Sequence, residues 1–343
     1  MPGISCVDCV GPAFSLMKTR LFQPFRFGFW SRIAVLGVLA GELSFNSGGS
    51  KTGHSGGTTT YRIPHSLPHG QASAWIAQHW HAILGVVGAA FLIGLLFFFI
   101  SSVLRFVLYE AVLRDKARIL EGFHRWSEQG FEYFLFRLTM VIPYVAIALY
   151  LVGWPLFKVL QSGGGGPEMF AAMAQLVGAA LFVGLLGVLL ATVMVLTKDF
   201  VVPQMIFEQV TCIEGWGRLW IRIRNEPGSF VGYILLKIAL SIGALIAFAI
   251  AMVITMLILA IPVGVMIAAG VVVFKVVGGG FLAIASTALL AVVIAAPLFI
   301  YCVGFVGAPI SVFFPAYSIY YFASRYKPLY DELYPQAPPS QPL

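Results

Sequence analysis

Five long apolar runs constrain this chain more than any other feature of its sequence. They cover approximately residues 82–104, 131–157, 169–197, 230–260 and 281–305. Because a helix rises about 1.5 Å per residue, even the shortest run spans about 35 Å, more than the roughly 30 Å hydrocarbon core of a bilayer. Only 10% of the residues are charged, against about 25% in soluble domains. The sequence therefore predicts an all-α, polytopic membrane helix bundle.

A sixth apolar run, 33–45, is too short to cross alone, but Phe27, Phe29 and Trp30 extend it at the interface and Arg32 can snorkel. Among the 21 Lys and Arg residues, those in the alternate loops are Lys51, Arg62, Lys158 and Lys275. The positive-inside rule then predicts six crossings in three hairpins, with both termini cytoplasmic. The net charge of +7 is interpreted as this topology signal, and not as a nucleic-acid surface.

Two phrases, EGFHRW at 121–126 and EGWGRLW at 214–220, indicate an internal repeat. Each follows a Phe-Val pair, at 106–107 and 200–201, and each precedes an apolar run. The predicted organisation is a single membrane domain at 1–329, with repeats at 14–104, 105–197 and 198–305, a last elbow at 306–329, and a Pro-rich cytoplasmic tail at 330–343.

The segment around each phrase is predicted to be a cytoplasmic elbow, an amphipathic helix in the headgroup plane; an ordinary juxtamembrane linker is the alternative. Glu121 and Glu214 are expected to pair with Arg125 and Arg218 at i,i+4. A following Gly is expected to allow the bend into the next span. The residues expected to contact anionic lipid are Arg114, Lys116, Arg118, Arg125, Arg218, Arg222 and Arg224.

The order of these segments resembles a known family. The stretches LRFVLYEAVLRDKARILEGFHRWSEQGFEYFLFRL, KDFVVPQMIFEQV and RYKPLYDEL are similar to those of an uncharacterised bacterial family of six-helix membrane proteins. That family is itself similar to the membrane domain attached to some glycerophosphoryl diester phosphodiesterases. The resemblance implies a six-helix membrane fold and a place in a bacterial inner membrane. It carries no catalytic residue over, because the chain has no room for a phosphodiesterase barrel.

Ionisable residues are sparse within the predicted spans. Glu42 is placed near the outer end of the first span, and Arg137 and Lys237 near cytoplasmic ends where snorkelling suffices. This argues against a coupled pump, because proton and ion relays use buried Asp, Glu or His. Cys6 and Cys9 form a C-x-x-C motif without a second pair, so inert thiols are favoured over a metal or redox site. No catalytic set and no cofactor is expected.

Three further features stay open. His79 and His81 are the candidate axial ligands of a haem or pigment, although residues two apart on a helix point in different directions. The segment 262–275 is either a re-entrant half-helix or the end of an overshooting span, and the second is favoured. Small residues at Gly85, Gly88, Gly184 and Gly187 are expected to pack closely, within the chain or against another subunit.

Three functions follow from these patterns. The first is a non-enzymatic scaffold or accessory subunit that contacts lipid and either a partner or a second copy. The second is a transporter or lipid-handling protein, which would need a polar cavity near the middle of the membrane, lined by residues such as Thr139, Tyr144, Thr192, Ser241 and Thr255. The third is a cofactor-binding subunit of an electron-transfer or light-harvesting complex.

Overall fold

The computed structural model describes residues 5–42, 69–114, 118–161, 167–277 and 281–334. Within these ranges the chain forms helices and turns and no strand. The helices are α1 (Val10–Leu21), α2 (Phe27–Leu39), α3 (His69–Arg114), α4 (Ile119–Arg125), α5 (Ser127–Gln161), α6 (Pro167–Leu196), a π-helical turn (Thr197–Val201), α7 (Val202–Glu208), α8 (Cys212–Asn225), α9 (Pro227–Val277), α10 (Phe281–Ala323) and α11 (Lys327–Leu333).

Five helices are long and apolar enough to cross a membrane, as the five runs predicted. The apolar segments lie at Gln78–Arg114, Ser127–Val159, Met169–Glu208, Pro227–Ile261 and Pro297–Ala323. The chain is therefore a membrane protein with an all-helical fold. Helix α9 continues through 262–275 without a break, so this segment is the end of an overshooting helix and not a separate re-entrant half-helix.

The buried core lies at one end of the long helices, which we call the elbow end because α4, α7, α8 and α11 adjoin it. Its centre is aromatic. The ring of Tyr233 stacks on Tyr317 with centroids 5.2 Å apart, and Phe200 packs at 5.2 Å from Phe322. All four side chains are fully buried. The burial of these large side chains stabilises the elbow end through the hydrophobic effect.

The membrane-spanning parts of the helices are, by contrast, exposed on most sides. In α3, α5 and α9 the most apolar stretch contains no buried residue, whereas in α10 a third of that stretch is buried. Leu92 on α3, Leu185 on α6 and Ile254 on α9 are examples of large apolar side chains that the rest of the chain leaves uncovered. Lipid or another membrane protein must therefore cover these faces.

Helix α2 runs parallel to α10. Trp30 Nε1 donates a hydrogen bond to the carbonyl oxygen of Phe305 (2.9 Å), and seven residues further along α2, Gly37 contacts Ser311. An outward first span beside an inward last span would be antiparallel. Moreover, the 13 residues of α2 cover only about 20 Å. The prediction that the run 33–45 crosses the membrane outward is therefore wrong for residues 33–42. Residues 43–45 lie outside the described residues.

The glycine after each repeated phrase lies within a helix and not at a bend, and of the two only Gly130 packs closely against a described neighbour. Gly130 lies inside α5, where an added Cβ would come within 2.9 Å of the Val103 Cα. Gly228 lies in the first turn of α9. Among the predicted packing glycines, Gly187 alone meets a neighbour, the hydroxyl of Tyr144. Around Gly85, Gly88 and Gly184 no described atom lies within 4 Å of an added Cβ, so the prediction of close packing within the chain is wrong for those three.

Replacing Gly130 with alanine should lower the free energy of unfolding by about 1–3 kcal/mol, because the added methyl group overpacks the contact between α5 and the backbone of α3. The matched control is Gly85→Ala, where the methyl group meets nothing and the gain in helix propensity is at most about 1 kcal/mol. Thermal unfolding of both variants in detergent measures the difference. Equal midpoints for the two variants would contradict the close contact at Gly130.

Candidate functional site

A buried ion pair lies at the elbow end, between the π-helical turn that follows α6 and helix α9. Asp199 sits in the π-helical turn at the end of α6, and its side chain is 1% exposed. It accepts hydrogen bonds from Lys237 Nζ and from the Tyr233 hydroxyl (2.9 Å), both on α9. Lys237 is 10% exposed and lies inside a spanning segment. It is therefore buried against Asp199, and the prediction that it snorkels to the surface is wrong.

A second acidic residue, Glu42, lies just beyond α2. Gly41 ends that helix with a positive φ of 75°, and the Glu42 N–H donates to the Gly37 carbonyl (2.9 Å), as in a Schellman C-cap. The Glu42 carboxylate contacts Lys198 at 2.6 Å and Arg105 at 3.7 Å, and its side chain is 3% exposed. Because both partners lie at the elbow end, the prediction that Glu42 lies at the outer end is wrong.

The two acids, together with Arg105 and Lys198, line one small cavity of about 10 Å³, with Tyr109 at its wall. A space of this size holds about one water molecule. The Tyr109 hydroxyl is buried without a hydrogen-bond partner among the described residues, so such a water would satisfy it. We name this group the ionic cluster: Glu42, Arg105, Lys198, Asp199 and Lys237.

The ionic cluster contains three bases and two acids, so its formal charge is +1. Removing such groups from water is expensive unless each is paired and hydrogen-bonded. Here the pairing is done by residues from four separate parts of the fold: the end of α2, α3, the π-helical turn and α9. The ionic cluster therefore fixes how these elements meet. Ionisable groups within spanning segments are also, by default, candidates for function.

Most of the predicted lipid-contacting basic residues are engaged in ion pairs at the elbow surface. The pairs are Arg114 with Glu332 (3.0 Å), Arg118 with Glu121 (2.9 Å), Arg125 with Glu110 (2.8 Å), and Arg218 with Glu208. The predicted pairs Glu121–Arg125 and Glu214–Arg218 are therefore wrong. Glu214 instead completes a capping box with Thr211 at the start of α8.

The remaining basic residues of that prediction differ from one another. Arg224 is exposed on α8, and Lys116 lies outside the described residues. Arg222 packs over the rings of Phe322 and Tyr326, with 5.3 Å from its guanidinium carbon to each centroid. Burial lowers the pKa of the Arg222 guanidinium from its ordinary value, although Tyr326 opposes this. A guanidinium remains charged under these conditions because its ordinary pKa is so high.

The candidate metal and cofactor residues do not gather into a site in the described part of the chain. His79 and His81 lie near the start of α3, where His81 is exposed and stacks against Trp80. No three His, Cys, Asp or Glu side chains converge among the described residues. Burial raises the pKa of Cys9 to about 11 and that of Cys212 to about 12, so both thiols stay protonated at neutral pH.

A comparison with models of protein families finds one match, described as a family of unknown function (DUF7544), over residues 4–331. The chain belongs to this family. No characterised protein and no solved structure shows significant similarity to it. The match covers every described helix except the last residues of α11, so the helical fold and its ionic cluster lie within the DUF7544 region.

Sequence reasoning missed the ionic cluster in this DUF7544 chain because its members looked like ordinary ends of spans. Lys198 and Asp199 are adjacent, and Lys237 follows 38 residues later. One available signal was the acidic residue itself, since only Thr197 and Lys198 separate Asp199 from the apolar residue Leu196, and neither is a glycine or proline. An acid at that place needs a buried cation or a route to water.

Proposed function

We propose that this protein is a non-enzymatic membrane scaffold or accessory subunit that contacts anionic lipid at its elbow end and a partner, or a second copy, along its spans. The observation that carries this proposal is the contrast between the two ends of the helices. At the elbow end the side chains are closely packed and joined by buried ion pairs. The faces of the spanning segments are, by contrast, apolar and uncovered. A rigid base with open apolar faces suits assembly in the membrane.

The elbows support the lipid contact. Helix α8 buries Cys212, Gly215 and Leu219, while another of its sides exposes Ile213 (78%) and Trp220 (60%). A helix that has an exposed apolar side next to arginines is suited to lie in the headgroup plane. We place this end at the cytoplasmic face of a bacterial inner membrane, because most Lys and Arg residues are predicted there.

We also propose that the elbows are copies of one ancestral unit. Gly122 packs on Val107, and Gly215 packs on Val201. The two valines are 94 residues apart and the two glycines 93 apart, so the same contact recurs at aligned positions. The sequence resemblance to membrane domains of glycerophosphoryl diester phosphodiesterases stays a prediction, and it gives this chain no catalytic role.

Self-association is tested on an open face of α3. The variant Gly88→Leu places a bulky side chain where no described atom lies near, and Gly94→Leu does the same on another side of the helix. We expect the wild type, purified in mild detergent, to retain lipid and to run as an oligomer or a complex. Gly88→Leu should reduce that assembly and Gly94→Leu should not, as measured by native mass spectrometry. A clean, lipid-free wild-type monomer would contradict the scaffold function.

The alternative of a transporter or lipid-handling protein gains support from one observation. Asp199 and Lys237 form an ion pair inside spanning segments, and the acid sits in a π-helical turn, a feature frequent at functional sites. The hydroxyls expected to line a transport cavity are less supportive, because Thr192, Ser241 and Thr255 donate to carbonyls of their own helices. The scaffold therefore remains the first proposal.

A further inference from the structure

A cavity of about 610 Å³ opens at the elbow end where α8, α9, α10 and α11 meet. Arg222 lines it from α8, Phe230 from the first turn of α9, and Tyr326 from the turn after α10. Arg325 and Lys327 add two further cations to its wall. The cavity is thus large enough for a phosphate-bearing group and is lined by aromatic and basic side chains.

The cations of this cavity are not equivalent. The charge of Arg325 is already paired within the protein, because Arg325 forms an ion pair with Glu226 (3.2 Å) and lies over the ring of Tyr321 (4.4 Å). Arg222 makes no ion pair with a described residue, and its Nη1 is buried without a hydrogen-bond acceptor. A buried donor without an acceptor costs free energy, so it marks a place where a ligand oxygen would be stabilising.

The acids of the cavity do not cancel this charge. Glu226 is engaged with Arg325, which leaves Asp331 against Arg222 and Lys327. Asp331 and Lys327 are both exposed on α11. The cavity therefore presents a net positive charge, with its most buried free cation held rigidly on two aromatic faces. A planar guanidinium fixed in this way matches the geometry of phosphate oxygens.

The position of the cavity favours a lipid over a soluble anion. Its wall includes Phe230, three residues after the start of the span Pro227–Ile261, and Ala323, the last residue of the span Pro297–Ala323. The cavity thus lies where two spans end, at the level of lipid headgroups. Below it, Val231, Leu235 and Ile238 are exposed along one face of α9, as an acyl chain requires.

We propose that this cavity binds the phosphate of an anionic lipid headgroup, with Arg222 donating to the phosphate oxygens and Lys327 adding charge at the rim. One acyl chain lies along the exposed face of α9. This inference rests on the proposed scaffold function and deepens it, because it assigns the lipid contact to one cavity and one class of lipid. The same oxyanion chemistry would suit soluble phosphate, so the test includes both sources.

The test measures lipid affinity by native mass spectrometry of the purified full chain with phosphatidylglycerol or phosphatidylcholine. We expect the wild type to prefer phosphatidylglycerol and Arg222→Gln to lower that affinity about tenfold, since a charge-assisted hydrogen bond is lost. The matched control is Lys18→Gln, which also removes one positive charge, at an exposed residue of α1 outside the cavity wall. It should change the affinity by less than about twofold.

The outcomes separate this inference from the scaffold function. Equal phosphatidylglycerol affinity in the wild type and Arg222→Gln overturns the inference, while retained lipid leaves the scaffold function standing. Inorganic phosphate is tested as a competitor. If it displaces phosphatidylglycerol from the wild type and binds more tightly than the lipid does, the ligand is a soluble phosphate and the lipid assignment is overturned. If Arg222→Gln does not fold, Lys327→Gln replaces it, because Lys327 is exposed; an affinity equal to that of the wild type then overturns the inference.

Discussion

Replacing Asp199 with asparagine should lower the free energy of unfolding by about 3–5 kcal/mol, because Lys237 would remain buried without its counterion. The side chains of the pair are 1% and 10% exposed, so water cannot take over the role of the carboxylate. The Tyr233 hydroxyl, which donates to the same carboxylate oxygen, would also lose its charged acceptor. The measurement is the unfolding midpoint in detergent, converted to a free energy by denaturant titration.

Two further variants test the cause of this loss. The double variant Asp199→Asn with Lys237→Met should recover most of the stability, because a buried ion pair can be replaced by apolar groups at little cost. Glu332→Gln, which removes a partner of Arg114 at the exposed elbow surface, should cost no more than about 1 kcal/mol. A double variant no more stable than Asp199→Asn alone would show that the charge of Lys237 is not the cause.

The membrane class and the five spans could be predicted because they depend on local composition. An apolar run of sufficient length is stable as a helix within a bilayer, whatever segments surround it. The first four runs lie within four of the segments that are apolar enough to span, and the fifth run, 281–305, overlaps the segment Pro297–Ala323 only over 297–305. The length of each helix beyond its apolar run was less predictable. Helix α3 reaches Arg114 and α9 reaches Val277, and α9 continues past Pro262, a residue type that commonly ends or kinks a helix.

The ionic cluster could not be predicted, because it depends on contacts between distant parts of the chain. Glu42 and Lys198 are 156 residues apart, and no local pattern connects them. The direction of α2 was missed for a related reason. Basic residues report which side of a membrane a loop occupies, but they say nothing about a short helix that packs beside a longer one without crossing.

The packing glycines show the same limit. Gly85 and Gly88 have the small-residue spacing that favours helix association, yet no described atom approaches them. Gly130 carries no such motif, whereas Gly304 is followed by Ala308 four residues later. At these two glycines an added Cβ would come within 2.9 Å of Val103 Cα and 2.8 Å of the Ala34 carbonyl oxygen. Spacing identifies a face that permits close approach, whereas the tertiary fold decides which faces meet.

Replacing Glu42 with glutamine should also destabilise the protein, by about 3–5 kcal/mol, because Lys198 and Arg105 would then lie together without a counterion. The carboxylate contacts the two cations at 2.6 Å and 3.7 Å. Its loss should weaken α2 more than the other helices, since Glu42 follows the end of that helix and joins it to α3 and to the π-helical turn. Amide hydrogen exchange should therefore rise first within Phe27–Leu39, before the rest of the elbow end opens.

The matched control for Glu42 is Glu121→Gln, which removes an exposed partner of Arg118 and should leave exchange in α2 unchanged. The double variant Glu42→Gln with Lys198→Met should restore part of the protection, because one of the two unpaired cations is removed with the acid. Uniform exchange across all helices in Glu42→Gln would mean that the ionic cluster stabilises the whole elbow end equally. Unchanged exchange in α2 would contradict its attachment through Glu42, and would leave the contacts of Trp30 and Gly37 with α10 as its main support.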